Sequence, residues 1–119
     1  MQFMLMMFGD AGSMRESQSP DWIREMIGFM RHLDRDLRMS GELVFDLGLA
    51  DGGTAKTVRR ESDGYVESDG QVAAPGSSLI GFWVVDVAGE GRATEIAASI
   101  AEYAGVVEVR AVPEAPPEM

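Results

Sequence analysis

Six consecutive apolar residues, Phe3 to Phe8, stand near the start of the chain, and the run LIGFWVVDV from Leu79 to Val87 repeats the theme. Both are apolar at odd and even positions alike, so each reads as a strand that meets little water on either face. Between Gly9 and Gln18 the pattern breaks into glycine, serine and charge, which predicts a loop. Ser19-Pro20-Asp21 then supplies an N-cap, a proline for the first turn and a carboxylate for the positive end of a helix. Trp22, Ile23, Met26, Ile27, Met30, Leu33 and Leu37 follow at spacings of three and four, one broad stripe that Gly41 brings to an end.

Downstream, Glu42 to Leu49 predicts a strand and Ala50 to Gly53 a turn. Ala55 to Arg60 and Tyr65 to Ser68 flank Glu61-Ser62-Asp63-Gly64, whose Asp-Gly pair supports a tight reversal, and predict a polar, exposed hairpin. A small-residue loop leads to the Leu79 strand. A second helix is expected from Arg92 to Tyr103, with Ala93, Ile96, Ala97 and Ile100 turned inward, and Val106 to Val112 forms the last strand. The order strand, helix, strand, hairpin, strand, helix, strand defines an α+β domain of ferredoxin-like split β-α-β type with an inserted hairpin. Both helices then cover one sheet face. The other, apolar on at least two strands, needs cover too, and sheet-to-sheet pairing of two copies supplies it as a dimeric α+β barrel with a cavity between the sheets.

The chain's 119 residues suit one domain, assigned to 1–112, with 113–119 an acidic, proline-rich, flexible tail. A net charge of −10 repels polyphosphates, which argues against nucleic acid as a partner. There is no cysteine, removing disulfides and thiolate chemistry, and a reducing cytoplasm fits. The first apolar run is too short for a membrane span and lacks the flanks of a signal peptide. With one histidine and no calcium-loop spacing, neither a metal site nor a cofactor is expected. Nine methionines read as adaptable packing.

QFMLMMFGD, LRMSGELV with LGL after it, ESDGQ, GFWVVDV and VEVRAV, in this order from Gln2 to Val112, together resemble the YCII-related family, and within it the branch named for an Asp-Gly-Pro-Phe motif. The resemblance implies a homodimeric α+β barrel, small-molecule chemistry in some members and an association with extracytoplasmic-function sigma factors in this branch. The motif falls at Asp69-Gly70-Gln71-Val72, where its Pro and Phe are missing. The charged stretch usual after it is replaced by Ala73-Ala74-Pro75-Gly76-Ser77, and a Gly-Gly-Glu-Gly-Leu segment by Phe45-Asp46-Leu47-Gly48-Leu49.

Asp69 is the polar part of the motif that survives, beside Gly70 at a strand end, where it serves as a base, a ligand contact or a turn-capping carboxylate. Asp10 ends the first strand, facing a cavity mouth or water. His32 invites acid-base work, but at about 100° per residue it points away from the helix stripe, toward solvent and Asp36. Phe82 and Trp83 take opposite strand faces, one under the helices and one toward the second sheet, as core, interface or ligand contacts. Arg15 and Arg59 are the cations an anionic ligand would use. The expected function is binding of a small apolar molecule or a regulatory protein. The alternatives are an isomerase, lyase or dehydrochlorinase-like enzyme with Asp69 or Asp10 as base, and an accessory protein of a sigma factor.

Overall fold

A computed structural model describes residues 1–115. Its order is β1 (Gln2–Gly9), α1 (Ala11–Ser17), α2 (Pro20–Ser40), β2 (Leu43–Gly48), β3 (Lys56–Glu61), β4 (Gly64–Asp69), β5 (Ser78–Asp86), α3 (Glu90–Ala104) and β6 (Val107–Val112), with a short 3-10 turn at Gly52–Thr54. Four strands form one sheet in the order β2-β5-β1-β6, every neighbouring pair antiparallel. β2 and β6 are its edges, so a single subunit is an open sheet and not a closed barrel. β3 and β4 pair separately as a hairpin.

Alternation along the central strands sorts the side chains. Phe3 and Leu5 of β1 lie opposite Val85 and Trp83 of β5, and all four join one core with Leu37 of α2 and Ala93, Ile96 and Ile100 of α3. Both helices therefore pack on the same face of the sheet. Small Ala93 and Ala97 let α3 lie close to it, while Trp22 and Phe29 of α2 meet Tyr103 of α3 with ring centroids 5.6 and 5.0 Å apart. The opposite face carries Met4, Met6, Phe82, Val84, Phe45 and Leu47 by register, away from the helical core; Met6 and Val84 at its centre are buried, Met4 and Phe82 half-buried. Phe45 and Leu47 are 48% and 57% exposed, large fractions for such residues on a sheet. The smallest dimension of the molecule, 18 Å, is that of one sheet and one helical layer.

The cap signals before α2 act as read: Ser19 accepts from the Trp22 N–H, and Gly41 closes the helix at φ 78°, where a side chain would be strained. One expectation is corrected. The Gly9 to Gln18 stretch is not a loop throughout, because Asp10 accepts from the N–H groups of Gly12 and Ser13 and starts α1. The hairpin reverses within the expected Glu61 to Gly64 stretch: Gly64 pairs with Glu61, Ser62 and Asp63 form the tip, and it is Ser62 that takes the positive φ of 48°. The hairpin is exposed along nearly its whole length, with only Thr57 buried. It stands off the body and raises the radius of gyration to 16.5 Å, against about 13.5 Å for a compact chain of this length. Residues 116–119, most of the expected flexible tail, lie outside the described residues. Among those described, no helix is long and apolar enough to cross a membrane.

One ion pair fastens α3 to the start of β2. Arg92 donates Nε to Glu42 Oε2 at 2.8 Å and Nη2 to Oε1 at 2.9 Å, a two-pronged contact that Ser40 reinforces. Hydrogen bonds from Arg92 and then Ser40 lower the Glu42 pKa from 4.5 to about 2. A depressed carboxyl contributes stability that is complete above its unfolded pKa and lost as pH falls toward the folded one. Because Arg92 is partly exposed, Glu42→Gln is expected to cost only about 1 kcal/mol at pH 7. The difference from the native chain should vanish between pH 4.5 and 2 in urea titrations.

Candidate functional site

A cleft of about 390 Å³ opens between α2 and the β2–β5 edge of the sheet. Its floor is bare backbone, because Gly48 and Gly81 sit directly opposite each other in adjacent strands and neither projects a side chain. A Cβ at Gly81 would stand 3.2 Å from the Leu47 carbonyl oxygen, a tight contact that would press on the β2 backbone. The walls are apolar: Met26 and Met30 from α2, Met7 from β1 and Ile80 from β5. At one end stand two carboxyls, Asp34 of α2 and Asp46 of β2.

Each carboxyl has a local cause. Met26, Met30 and Asp34 are spaced by four on one side of α2, so Asp34 occupies the next place on the stripe that faces the sheet. Trp83, buried beneath α2, donates its indole N–H to Asp34 Oδ1 at 3.1 Å. Asp46 comes inward through a bulge. Leu43 pairs with Val85 and Phe45 with Val84, so one extra residue in β2 sends Phe45 to the uncovered face and turns Asp46 toward the helices, opposite Trp83. Burial first, and then hydrogen bonding and charge repulsion from Asp34, raise the Asp46 pKa from 3.8 to about 6, with Arg38 pulling weakly the other way. The pair can therefore hold or release one proton just below neutral pH, beside an apolar wall.

A second groove, about 220 Å³, runs on beneath α1 and shares Met7, Met26 and Ile80 with the first, adding Met14, Ile23 and Arg15. Four methionines, Met7, Met14, Met26 and Met30, thus line the two adjoining spaces. Among the described residues no group of three or more His, Cys, Asp or Glu is placed to share a metal ion.

Of the residues singled out from sequence, Phe82 and Trp83 line this cleft and Arg15 the adjoining groove, while Asp10, His32, Arg59 and Asp69 line neither. Trp83 and Phe82 divide between the faces as their alternation requires: Trp83 anchors Asp34, while Phe82 meets Phe45 edge-on at 5.7 Å on the uncovered face and borders the cleft mouth. Arg15 lines the second groove. Asp10 caps α1 with contacts of 3.0 and 3.1 Å to Gly12 and Ser13. Asp69 ends β4 on the protruding hairpin, 95% exposed and 3.7 Å from Lys56 across the ladder, and Arg59 is exposed on the same ribbon. His32 is exposed on α2, where Arg35 donates to its Nδ1 at 2.8 Å in place of the expected Asp36 partner, because Arg35 one turn on reaches it first. Asp34 and Asp46 were not among the candidates. The signal available for Asp34 was a carboxylate on an otherwise apolar stripe.

No family model matches the sequence, and no curated protein matches it.

Proposed function

We propose that this chain is a homodimeric, YCII-related protein of ferredoxin-like plan that binds a small, largely apolar molecule in the cleft between α2 and β5. The strand order β2-β5-β1-β6, with α2 and α3 on one face and the hairpin inserted between β2 and β5, supports the ferredoxin-like plan. The observation that carries the binding reading is the cleft itself: an apolar space left by two facing glycines, with polar groups only at one end. The uncharged dye N-phenyl-1-naphthylamine is expected to brighten on binding there. Gly48→Leu should suppress that signal, because a Cβ at this position meets nothing within 4 Å and a leucine can grow into the cleft without straining the backbone. Equal brightening by both proteins would place the dye elsewhere and sink the reading.

The uncovered sheet face supports pairing with a second copy, face to face. Sedimentation is expected to give a dimer at micromolar concentration, and Phe45→Glu, which sets a charge on that face, a monomer of unchanged helical content. A native chain that sediments as a monomer would remove the barrel.

One observation favours a catalytic reading as well. A carboxyl whose pKa is near 6, within reach of a second carboxyl, suits proton abstraction of the isomerase or lyase kind, with Asp46 taking the part that the motif suggested for Asp69. Turnover of that kind should rise with pH through about 6 and disappear in Asp46→Asn.

A further inference from the structure

We infer that the molecule bound in this cleft is a small amphipathic amine, its ammonium held by Asp34 and Asp46 and its apolar body laid along Met30, Met26 and Met7. This rests on the cleft being the binding site, and adds the chemical class of what it takes. Donors and acceptors are unequally supplied there. Three side chains bring polar atoms to the cleft: Asp34, Asp46 and Trp83. Trp83 has a single N–H, already given to Asp34, and the two carboxyls offer acceptor oxygens. No lysine or arginine lines the space. Arg38 acts on Asp46 only as a nearby charge, and Arg15 lines the adjoining groove and not this cleft.

A ligand head that satisfies such a site must donate hydrogen bonds, and a positive charge matches it best. A carboxylate or phosphate would meet two acidic groups with no donor left to it. A hydroxyl could donate one bond but would leave the repulsion between the carboxyls in place. An ammonium has three donors and reaches both acids at once. The body of the ligand is set by the walls, since the methionine-lined path continues from the first cavity into the second and flexible thioethers adapt to chains of different shape. The field of a chain carrying −10 favours the approach of a cation over that of an anion.

The charge on the head has a second consequence. An ammonium that needs Asp46 ionised displaces its proton, so affinity for an amine must weaken as pH falls through the Asp46 range, whereas affinity for a neutral analogue need not. Three probes of one shape isolate the head group: hexylamine, 1-hexanol and hexanoate. Binding is followed through the indole N–H resonance of Trp83, told apart from that of Trp22 by a Trp22→Phe variant. At pH 7.5 hexylamine should bind at least about tenfold more tightly than hexanol, and hexanoate most weakly. At pH 5 the hexylamine affinity should drop about tenfold, the fraction of Asp46 still ionised for a pKa of about 6, with hexanol unchanged. Asp46→Asn should bring hexylamine close to hexanol at both pH values. Hexanol matching hexylamine in the native protein, or hexanoate exceeding it, overturns the amine class while leaving the cleft as a site. No movement of the Trp83 resonance with any of the three overturns the cleft reading and this inference with it.

Discussion

Alanine in place of Leu5 is expected to lower the free energy of unfolding by about 3–4 kcal/mol, the upper-middle range for a buried leucine that leaves a cavity. Leu5 is 0% exposed. It stands at the middle of β1, opposite Trp83 of β5 on one side and Val109 of β6 on the other, with α3 packed above the same core. Ladder hydrogen bonds on both sides of β1 hold its backbone in place, so the space cannot close by moving the strand. A domain of this length has about 6–18 kcal/mol of stability in total, so a single truncation here would remove a sizeable share. The thermal midpoint should fall by roughly 12–16 °C, at about 4 °C per kcal/mol for this size. Val106→Ala, at an exposed position before β6, is the control and should stay within about 0.5 kcal/mol. A Leu5→Ala loss no larger than the control's in urea unfolding would mean that the core is not centred on β1.

The elements that were legible in the sequence carry their information locally. α2 announces itself through Ser19, Pro20, Gly41 and a stripe repeated over about four turns, and β5 through an unbroken apolar run. α3 showed its four buried positions because alanine and isoleucine recur at helical spacing. α1 was not legible: seven residues rich in glycine and serine have no stripe, and the one sign of a helix was Asp10, whose capping role competed with the reading of a strand end. The cleft was hidden for a different reason. Gly48 and Gly81 lie far apart in sequence and become a bare floor only when β2 and β5 pair in register. Asp46 was hidden by the bulge, since simple alternation from Leu43 sends Phe45 and Leu47 to the core and Asp46 to water, and the extra residue reverses all three. Asp69 drew notice as part of a sequence motif, and the fold places it at the exposed end of β4 on the hairpin, outside the lining of the cleft. Motif position and site position are separate properties here.

The reversal at the bulge places a carboxyl where it lowers stability, and this gives the second large effect. Asp46→Asn is expected to raise the free energy of unfolding by about 1–2 kcal/mol at pH 8, against the usual direction for a substitution in a folded domain. The sign follows from the raised pKa, 3.8 in the unfolded chain against about 6 in the folded one. Between these values the folded state holds a proton that the unfolded state has released, so stability declines as pH rises through the window and the full deficit is present above pH 6. The gap between the folded and unfolded pKa corresponds to about 3 kcal/mol, and partial exposure of Asp46 to water reduces the share that reaches stability. Asparagine keeps the shape and can donate its amide N–H to Asp34, the contact that the protonated acid makes, without repulsion at any pH. Native stability measured in urea should therefore fall from pH 4 to pH 7 relative to the variant, the two curves meeting at the acid end. Parallel curves, or a variant weaker than the native chain at pH 8, would show that Asp34 and Asp46 do not share a proton. An amine seated between the carboxyls should reverse the deficit in the native protein and do little for Asp46→Asn, because the repulsion it relieves is then already gone. A carboxyl that weakens the free protein and regains that stability when a cation arrives is consistent with selection for binding and not for folding.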